Sequence, residues 1–558
     1  MKNTNWYKDA VIYQIYPRSF CDSNGDGMGD LQGIISKLDY LKELGINCVW
    51  LSPVYSSPQE DNGYDISDYC NIYPPFGTMD DFDLMLNEMH KRGIRLIMDL
   101  VVNHTSSEHR WFKEAINDST SKYRDYYIIK EGKKNGKKPP NNWSGFFGKS
   151  AWERIGDSSS YYLHLFGTGQ PDLNWENDNV REEVKNILKF WLDKGVDGFR
   201  CDVITLISKK QDFKSRFPTL ALCGKDAFVN GPRLHEFLHE LNKEVISHYD
   251  AMTVGETVLS SLEEAKELVE PKREELTMIF NFDHTDTDNY FGIKYIKRKF
   301  KVKNLRKVIK KWQIGLYNCG WNSLFIENHD QRRSVGRFGT SEKYRKEGAK
   351  MLATLYFFLQ GTPFIYEGQE IGMTNAHFKS IAEIEDLEAH NMYALAKKNP
   401  LLGKIINNSL FDVSRDNART PMQWNATNFG GFSTSKPWLR VNDNYKEINV
   451  EESMNNKDSI FHYYQRLIEL RKNDEIIKNG KYAELYTNYK KIFAYRRFYG
   501  NHEYVVICSF SDKPEYVKSL SAYNQKNLVI SNYDDSSSCL LKPYECRVYK
   551  KEWRVNND

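Results

Sequence analysis

Eight short apolar runs recur along the first two-thirds of this 558-residue chain, and most are followed by an amphipathic stretch. They are rich in β-branched and aromatic residues and end in polar residues, Gly or Pro, which is typical of buried strands. The runs are Val11–Pro17, Ile46–Pro53, Ile94–Val102, Val196–Ile204, Met252–Glu256, Leu276–Phe282, Ser323–Asn328 and Pro363–Tyr366. Alternating apolar strands and helices form parallel sheets covered by helices, and eight such units can close into a barrel. The pattern therefore predicts an α/β fold of the (β/α)8 TIM-barrel class.

Two regions depart from this alternation. About 90 residues separate the third and fourth runs, and a loop of that length is expected to fold as a subdomain of its own. From about residue 481 the pattern changes to alternating strands with turn residues between them, which predicts an antiparallel β domain. We therefore divide the chain into barrel residues 1–104, an inserted subdomain at 105–174 after strand 3, barrel residues 175–480 and a C-terminal β domain at 481–558.

The charge balance and the cysteine content indicate which binding partners and which compartment to expect. The 78 Lys and Arg residues nearly balance the 75 Asp and Glu residues, a balance that lacks the basic footprint of a nucleic-acid or anionic-membrane binder. The first residues have no signal-peptide pattern, and no apolar run is long enough to span a membrane. The nine cysteines show no CxxC spacing and fit reduced thiols. We expect a monomeric cytoplasmic protein with a small-molecule substrate and no nucleic-acid or membrane partner.

Three carboxylates stand at the carboxyl ends of predicted strands, where parallel barrels place their catalytic groups. Asp202 ends the fourth run, Glu256 ends the fifth, and Asp330 follows the seventh. Most acidic side chains are solvated surface charges, but three at neighbouring strand ends favour a common site. Arg200 lies two residues before Asp202 and shares its face of the strand. Pairing with Arg200 would keep Asp202 ionised, as a nucleophile requires.

The segments at these strand ends resemble the conserved regions of the α-amylase family of glycoside hydrolases. They read DLVVNH at 99–104, GFRCDV at 198–203, GET at 255–257 and ENHD at 327–330. A further segment, QPDLN at 170–174, resembles a fifth region of the oligo-1,6-glucosidase and α-glucosidase group. The resemblance implies a retaining, exo-acting α-glucosidase that hydrolyses terminal α-1,6-linked glucose from short isomalto-oligosaccharides.

Carried over residue by residue, the resemblance makes Asp202 the nucleophile, Glu256 the general acid/base and Asp330 the transition-state stabiliser. The chemistry agrees, because a retaining glycosidase needs one ionised carboxylate to attack and one protonated carboxyl to release the leaving oxygen. A third carboxylate suits stabilisation of the oxocarbenium-like state. The residues implied to bind substrate are Asp61, Tyr64, His104, Phe166, Gln170, Arg200, Val203, His329 and Arg415.

The resemblance also implies what several of these residues do. Tyr64 is expected to offer an aromatic platform to the glucose ring, and His104 and His329 are expected to donate hydrogen bonds to the glucose hydroxyls. Asp61 and Arg415 are expected to pair at the bottom of the pocket and close it. In the resembling enzymes Val at the position of Val203 accompanies α-1,6 activity, whereas Ala or Thr accompanies α-1,4 activity.

The segment DSNGDGMGD at 22–30 places oxygen ligands at every second residue between glycines. It begins as an EF-hand loop does, but Gly33 stands where the bidentate Glu belongs, and a strand-like segment precedes it. The resembling enzymes bind a structural Ca²⁺ in this loop. The implied ligands are Asp22, Asn24, Asp26, the Met28 carbonyl and Asp30. An Asx-rich turn without metal is the alternative.

Several positions depart from the oligo-1,6-glucosidase pattern on the aglycone side of the site. Arg332 stands where Pro is usual, and YEGQE at 366–370 replaces YQGEE. Related activities therefore remain open: an α-1,4-glucosidase or sucrose hydrolase, a trehalose-6-phosphate hydrolase, or a sucrose isomerase, although the isomerase loop motif RLDRD is HTDTD at 284–288. A non-enzymatic transporter ectodomain would need a membrane segment and tolerates loss of the carboxylates, and the sequence shows neither feature.

Overall fold

Eight parallel strands form the centre of the protein in the computed structural model, which describes residues 5–219, 222–290, 292–398 and 400–552. In chain order they are β1 (Ile12–Ile15), β2 (Cys48–Leu51), β3 (Arg95–Leu100), β4 (Gly198–Cys201), β5 (Met252–Glu256), β6 (Met278–Phe280), β7 (Ser323–Leu324) and β8 (Thr362–Tyr366). The sheet order is β6-β5-β4-β3-β2-β1-β8-β7. A parallel bridge between Ile279 and Asn322 joins the two ends of the sheet. The predicted barrel is confirmed.

Side chains alternate between the inside and the outside of the barrel, as the pleat of a strand requires. Ile97 belongs to an apolar cluster made mostly of strand residues, which fills the barrel interior. Phe199 and Cys201 belong to the larger cluster that the strands share with the surrounding helices. Asp99 lies two residues after Ile97 on the same strand, so its side chain is on the same side as that of Ile97. Arg200 directly follows Phe199, so its side chain is on the side opposite to that of Phe199. Both charged side chains therefore point inward at the carboxyl ends of β3 and β4.

Helices cover the outside of the barrel. The helices packed around it are Leu31–Ser36, Leu38–Leu44, Met79–Lys91, Asp178–Lys194, Leu234–Glu244, Leu262–Val269, Val302–Gly315, Arg345–Phe357 and Ile460–Arg471. Further helices are Pro17–Phe20, Arg110–Asn117, Lys225–Phe228, Leu387–Lys398, Pro400–Asn407, Leu410–Val413, Asp416–Arg419, Val450–Asn455 and Glu475–Asn479. Within the described ranges, none of the helices combines the length and hydropathy that crossing a bilayer requires.

The region between β3 and β4 contains a sheet of its own. Its three antiparallel strands are, in spatial order, Ile129–Glu131, Ser160–Leu163 and Trp152–Arg154. Trp143 and Leu165 from this region pack in one apolar cluster with Val203 and Leu206, which follow β4. The insertion is thus anchored beside the carboxyl end of β4. The limits proposed for the insertion and the other domains stay predictions.

The C-terminal region is a five-stranded antiparallel sheet, which confirms the predicted β domain. Its strands, in spatial order, are Lys481–Leu485, Ile492–Tyr499, His502–Ser509, Cys546–Glu552 and Leu528–Ser531. Three small two-stranded sheets complete the fold: Tyr55–Ser56 with Asp68–Ile72, Asn289–Tyr290 with Ile293–Lys297, and Glu515–Tyr516 with Leu540–Leu541.

Candidate active site

One buried guanidinium binds carboxyl groups from three adjacent strands. Arg200 Nη1 donates to Asp99 Oδ1 at 2.5 Å and to Asp202 Oδ1 at 2.6 Å, and Nη2 donates to Glu256 Oε2 at 2.6 Å. The side chain of Arg200 is only 2% exposed. The structure thus brings the predicted nucleophile and the predicted acid/base to the same arginine, at the carboxyl ends of β4 and β5.

The chain turns sharply directly after Asp202. Val203 adopts φ 35° and ψ 37°, the left-handed region, which costs an L-residue about 1–2 kcal/mol and is rare for β-branched side chains. The turn directs the Val203 N–H at Glu256 Oε2, 3.1 Å away. Its side chain packs with Leu206 and Phe228 in the apolar cluster of the insertion.

The surroundings give the two carboxyl groups different protonation states. Burial raises the pKa of Asp202 to about 6, although Arg200 opposes the shift. Burial raises the pKa of Glu256 to about 8, with Arg200 opposing and the charges of Asp202 and Asp330 adding to it. At pH 7 Asp202 is therefore mostly ionised and Glu256 mostly protonated. This combination can attack an anomeric carbon and protonate a leaving oxygen.

Asp330, in the loop after β7, is held as an anion. Its Oδ1 accepts from Arg419 Nη2 at 2.8 Å and from Arg415 Nη1 at 3.3 Å, and His329 Nε2 lies 3.4 Å from Oδ2. Burial favours the neutral acid, but His329 and the two guanidinium groups outweigh it, so the pKa of Asp330 lies below its ordinary value. A fixed negative charge beside the predicted nucleophile and acid/base is suited to an oxocarbenium-like state. The stabiliser role stays a prediction.

The predicted pair of Asp61 and Arg415 is present in the structure. Arg415 Nη2 lies 3.2 Å from Asp61 Oδ1, and Gln170 Nε2 donates to Asp61 Oδ2 at 3.1 Å. On its other side Arg415 donates to Asp386 Oδ1 through Nε at 2.9 Å and through Nη2 at 2.7 Å. Because Arg415 also reaches Asp330, this network lies next to the carboxylate site.

His329 presents a polar atom without a protein partner. Gln14 Nε2 donates to its Nδ1 at 2.8 Å, which places the ring proton on Nε2. That Nε2 is buried and makes no hydrogen bond to the protein. Tyr64 stacks on the imidazole, with ring centroids 5.3 Å apart and an interplanar angle of 7°. An N–H free to donate, next to Asp330, fits the predicted contact with a sugar hydroxyl.

His104 is arranged differently from His329. Its Nε2 donates to the Tyr64 carbonyl at 3.0 Å, and its Nδ1 accepts from Asn103 Nδ2 at 3.2 Å. Phe166 packs against the same imidazole, with centroids 5.3 Å apart. The structure therefore places His104 and Phe166 in the pocket wall beside Gln170. The predicted hydroxyl contact of His104 stays a prediction.

Sequence reasoning missed four buried residues that hold the site together: Gln14, Asp99, Asp386 and Arg419. Asp99 begins DLVVNH, and Gln14 lies in the first apolar run, Val11–Pro17, so both belong to segments already singled out. Their polar side chains in buried segments were the available signal. Asp386 and Arg419 lie in no such segment, and only the fold shows their contacts.

The loop that leads from β1 into Leu31–Ser36 is wound by its own side chains. Asp22 Oδ1 accepts from the Asn24 N–H, Asn24 Oδ1 from the Asp26 N–H, and Asp26 Oδ1 from the Met28 N–H. Asp30 caps the helix that follows. These are hard oxygen donors of the kind Ca²⁺ prefers. Within the described ranges, the one group of three carboxylates whose oxygens all lie within 4.8 Å of one another is elsewhere, at Glu182, Glu240 and Glu244. The calcium site stays a prediction.

The chain is similar to known proteins over nearly its whole length. The alpha-amylase catalytic domain matches residues 14–480. An oligo-1,6-glucosidase of Bacillus cereus is 51% identical over 560 residues, which cover 98% of this chain and 99% of that protein. The crystal structure of a trehalose-6-phosphate hydrolase from Bacillus licheniformis superposes with a TM-score of 0.92 at 47% identity, covering 98% of this chain and 100% of that one.

An isomaltulose synthase from Klebsiella sp. LX3 also superposes with a TM-score of 0.92, at 40% identity and over 98% of this chain and 99% of that one. The similarity thus extends over nearly the whole length of relatives with several different names. The chain belongs to the alpha-amylase family of glycoside hydrolases.

Proposed function

We propose that the protein is a retaining, exo-acting α-glucosidase that releases terminal α-1,6-linked glucose from short isomalto-oligosaccharides. The observation that carries the proposal is the shared contact of Asp202 and Glu256 with Arg200, at 2.6 Å each. The identity of 51% to an oligo-1,6-glucosidase over almost the whole chain supports the substrate class.

The proposed reaction has two steps. Ionised Asp202 attacks the anomeric carbon while Glu256 protonates the glycosidic oxygen, so that the C–O bond to the aglycone breaks and a glucosyl ester forms. Glu256, now a carboxylate, then removes a proton from water, which displaces Asp202. Two inversions give net retention. Asp330 is the proposed stabiliser of the charge that develops on the sugar ring.

The proposed pocket ends at the contact between Arg415 and Asp61. A buried ion pair at this place leaves no path for further sugar units on the non-reducing side, which supports cleavage of one glucose at a time. Val203 supports the α-1,6 preference, since it directly follows the nucleophile and valine at this position accompanies α-1,6 activity in the resembling enzymes.

Product analysis tests the proposal directly. Purified protein is offered isomaltose, maltose, sucrose and trehalose 6-phosphate, and the first anomer released is observed by NMR. We expect isomaltose to give the highest kcat/KM and α-glucose to appear first. Initial β-glucose would contradict the double displacement, and release of internal dextran fragments would contradict the closed pocket.

A trehalose-6-phosphate hydrolase is the second candidate, because the solved structure of one is 47% identical to this chain. Its substrate carries a phosphate, which requires cations on the aglycone side. Three cations that follow β6 in the chain already contact carboxylates: Lys294 contacts Glu388, Lys297 contacts Asp412, and Arg332 contacts Asp288 and Asp412. This pairing favours a neutral aglycone, and the trehalose 6-phosphate assay decides between the candidates.

We further propose that the enzyme is a cytoplasmic monomer with a structural Ca²⁺ in the loop at 22–30. All nine cysteines are free thiols in the structure, which supports a reducing compartment. The alternating oxygen donors of the loop support the metal. Light scattering coupled to size-exclusion chromatography tests the monomer, and fractionation of cells tests the compartment.

A further inference from the structure

Glu256 Oε2 receives two hydrogen-bond donors. Arg200 Nη2 lies 2.6 Å from it, and the main-chain nitrogen of Val203 lies 3.1 Å from it. A carboxyl oxygen has two lone pairs, so these two donors occupy both. When Glu256 carries a proton, that proton therefore belongs on Oε1. Without substrate, a side-chain hydrogen bond joins Glu256 to Asp202 and lowers the pKa of Asp202, so the proton becomes available to a glycosidic oxygen once substrate lies between the two carboxyls.

The N–H of Val203 reaches Glu256 only because the backbone is left-handed at this residue. The turn is held on both sides, since the Asp202 N–H donates to the Leu100 carbonyl at 3.0 Å and the Val203 carbonyl accepts from the Leu206 N–H at 2.9 Å. The Val203 side chain is 6% exposed. The surrounding structure thus enforces a conformation that valine avoids, which is typical of functional sites.

We propose that the main-chain N–H of Val203 is a positioning group for the general acid, which it fixes with Oε1–H directed to the glycosidic oxygen. The inference rests on the proposed function, because it requires Glu256 to be the proton donor. It is separate from the linkage preference, which concerns the side chain of Val203 and not its amide.

Isomaltose and α-glucosyl fluoride differ in how much the cleavage of their anomeric bond depends on this proton. When isomaltose is cleaved, the C–O bond breaks as the proton passes from Oε1 to the leaving oxygen, and Asp202 bonds to the anomeric carbon. When α-glucosyl fluoride is cleaved, fluoride departs with the electron pair and requires little protonation. A misplaced acid should therefore slow isomaltose much more than the fluoride.

Replacement of the Val203 amide by an ester, introduced as the α-hydroxy analogue of valine, removes the N–H and keeps the side chain. We expect kcat/KM on isomaltose, which reports only the steps up to formation of the glucosyl ester, to fall by about tenfold or more, since general acid catalysis contributes about 10²–10⁴-fold. The fall on α-glucosyl fluoride should be much smaller. The same replacement at Ile204, the next amide along the chain, is the matched control and should affect both substrates alike.

Equal losses on the two substrates in the Val203 ester would overturn the inference, because they indicate a general structural effect. If the unmodified enzyme hydrolyses neither α-glucoside, the proposed function fails instead. Should the ester protein fold poorly, Val203→Gly and Val203→Ala provide a second comparison, since both lack the γ-methyl groups and only glycine relaxes a left-handed backbone. Val203→Gly should then lose more activity on isomaltose, relative to α-glucosyl fluoride, than Val203→Ala does. The same ratio of losses in the two variants would contradict the inference.

Discussion

Arg415 Nη2 lies 3.2 Å from Asp61 Oδ1, a contact between residues 354 positions apart in the chain. Arg415 keeps its bonds to Asp386 when Asp61 is removed, so the variant Asp61→Ala should still fold. We expect its KM for isomaltose to rise by about tenfold or more, because a lost hydrogen bond to a charged group is worth about 1.5–3 kcal/mol. Steady-state kinetics with isomaltose and isomaltotriose measure the change.

The control for this variant is Asp443→Ala, which removes a carboxylate that is 88% exposed. Its kinetics should match those of the unmodified enzyme. An unchanged KM in Asp61→Ala would remove this residue from substrate recognition.

The activity should follow a bell-shaped dependence on pH. Asp202 must be ionised to attack, so kcat/KM should fall as the pH drops below its pKa of about 6. Glu256 must be protonated to release the aglycone, so kcat/KM should fall as the pH rises above its pKa of about 8. Initial rates on isomaltose between about pH 4 and about pH 10, at constant ionic strength, give the acidic and the alkaline limb of the profile. In Glu256→Gln, assayed with α-glucosyl fluoride, the alkaline limb should be absent.

Amide substitutions test the three carboxylates one at a time. Asp202→Asn, Glu256→Gln and Asp330→Asn keep the shape of the side chain and remove its charge or its proton. Each should lower kcat on isomaltose by about 10²–10⁴-fold, the contribution usual for positioned acid, base or electrostatic groups. Circular dichroism should show an unchanged fold. Near-normal turnover in any one variant would exclude that residue from the reaction.

The preference for one linkage over another should depend on Val203, the residue directly after the predicted nucleophile. Val203→Thr should raise the ratio of kcat/KM for maltose to that for isomaltose. The shift is expected to be a bias and not a reversal, because differences of one small group are worth about 1–3 kcal/mol. Competition between the two disaccharides in one reaction measures the ratio. A ratio that stays the same would show that Val203 does not contact the aglycone.

Removal of calcium should lower stability if the loop at 22–30 binds the ion. A metal that binds the folded loop and not the unfolded chain stabilises the protein by mass action. Chelation should therefore lower Tm in the unmodified enzyme and leave Tm unchanged in Asp26→Ala. Glu182→Gln, in the acidic group that surrounds Lys185, serves as the control and should behave as the unmodified enzyme does. An unaffected Tm together with a negative elemental analysis would reject the metal.

Local patterns in the sequence were sufficient to predict the barrel. Each strand is a short apolar run between turn residues, and this property depends on neighbours in the chain. Two of the carboxylates were found in the same way, since Asp202 lies near the end of one such run and Glu256 ends another. The surroundings of these carboxylates could be described only from the fold, because the inward direction of Asp99 and its contact with Arg200 depend on the register of β3 and β4.

The supporting contacts of the pocket could not be predicted from local patterns. Gln14 fixes the tautomer of His329 across 315 positions of sequence, and no motif connects them. The left-handed turn at Val203 was equally hidden, since valine gives no sign of positive φ. Such features depend on packing between distant segments, and the structure was required to find them.

The contact of one arginine with both reacting carboxyls has a consequence for the order of proton transfers. The negative charge of Asp202 raises the pKa of Glu256, and the positive charge of Arg200 lowers it. Once Asp202 has become a glucosyl ester it is no longer charged, and the guanidinium acts on Glu256 without that competitor. Glu256 has by then given its proton to the leaving oxygen, and its lowered pKa keeps it ionised at the stage when a base is needed to activate water. In the proposed mechanism, formation of the covalent bond thus converts the acid of the first half-reaction into the base of the second.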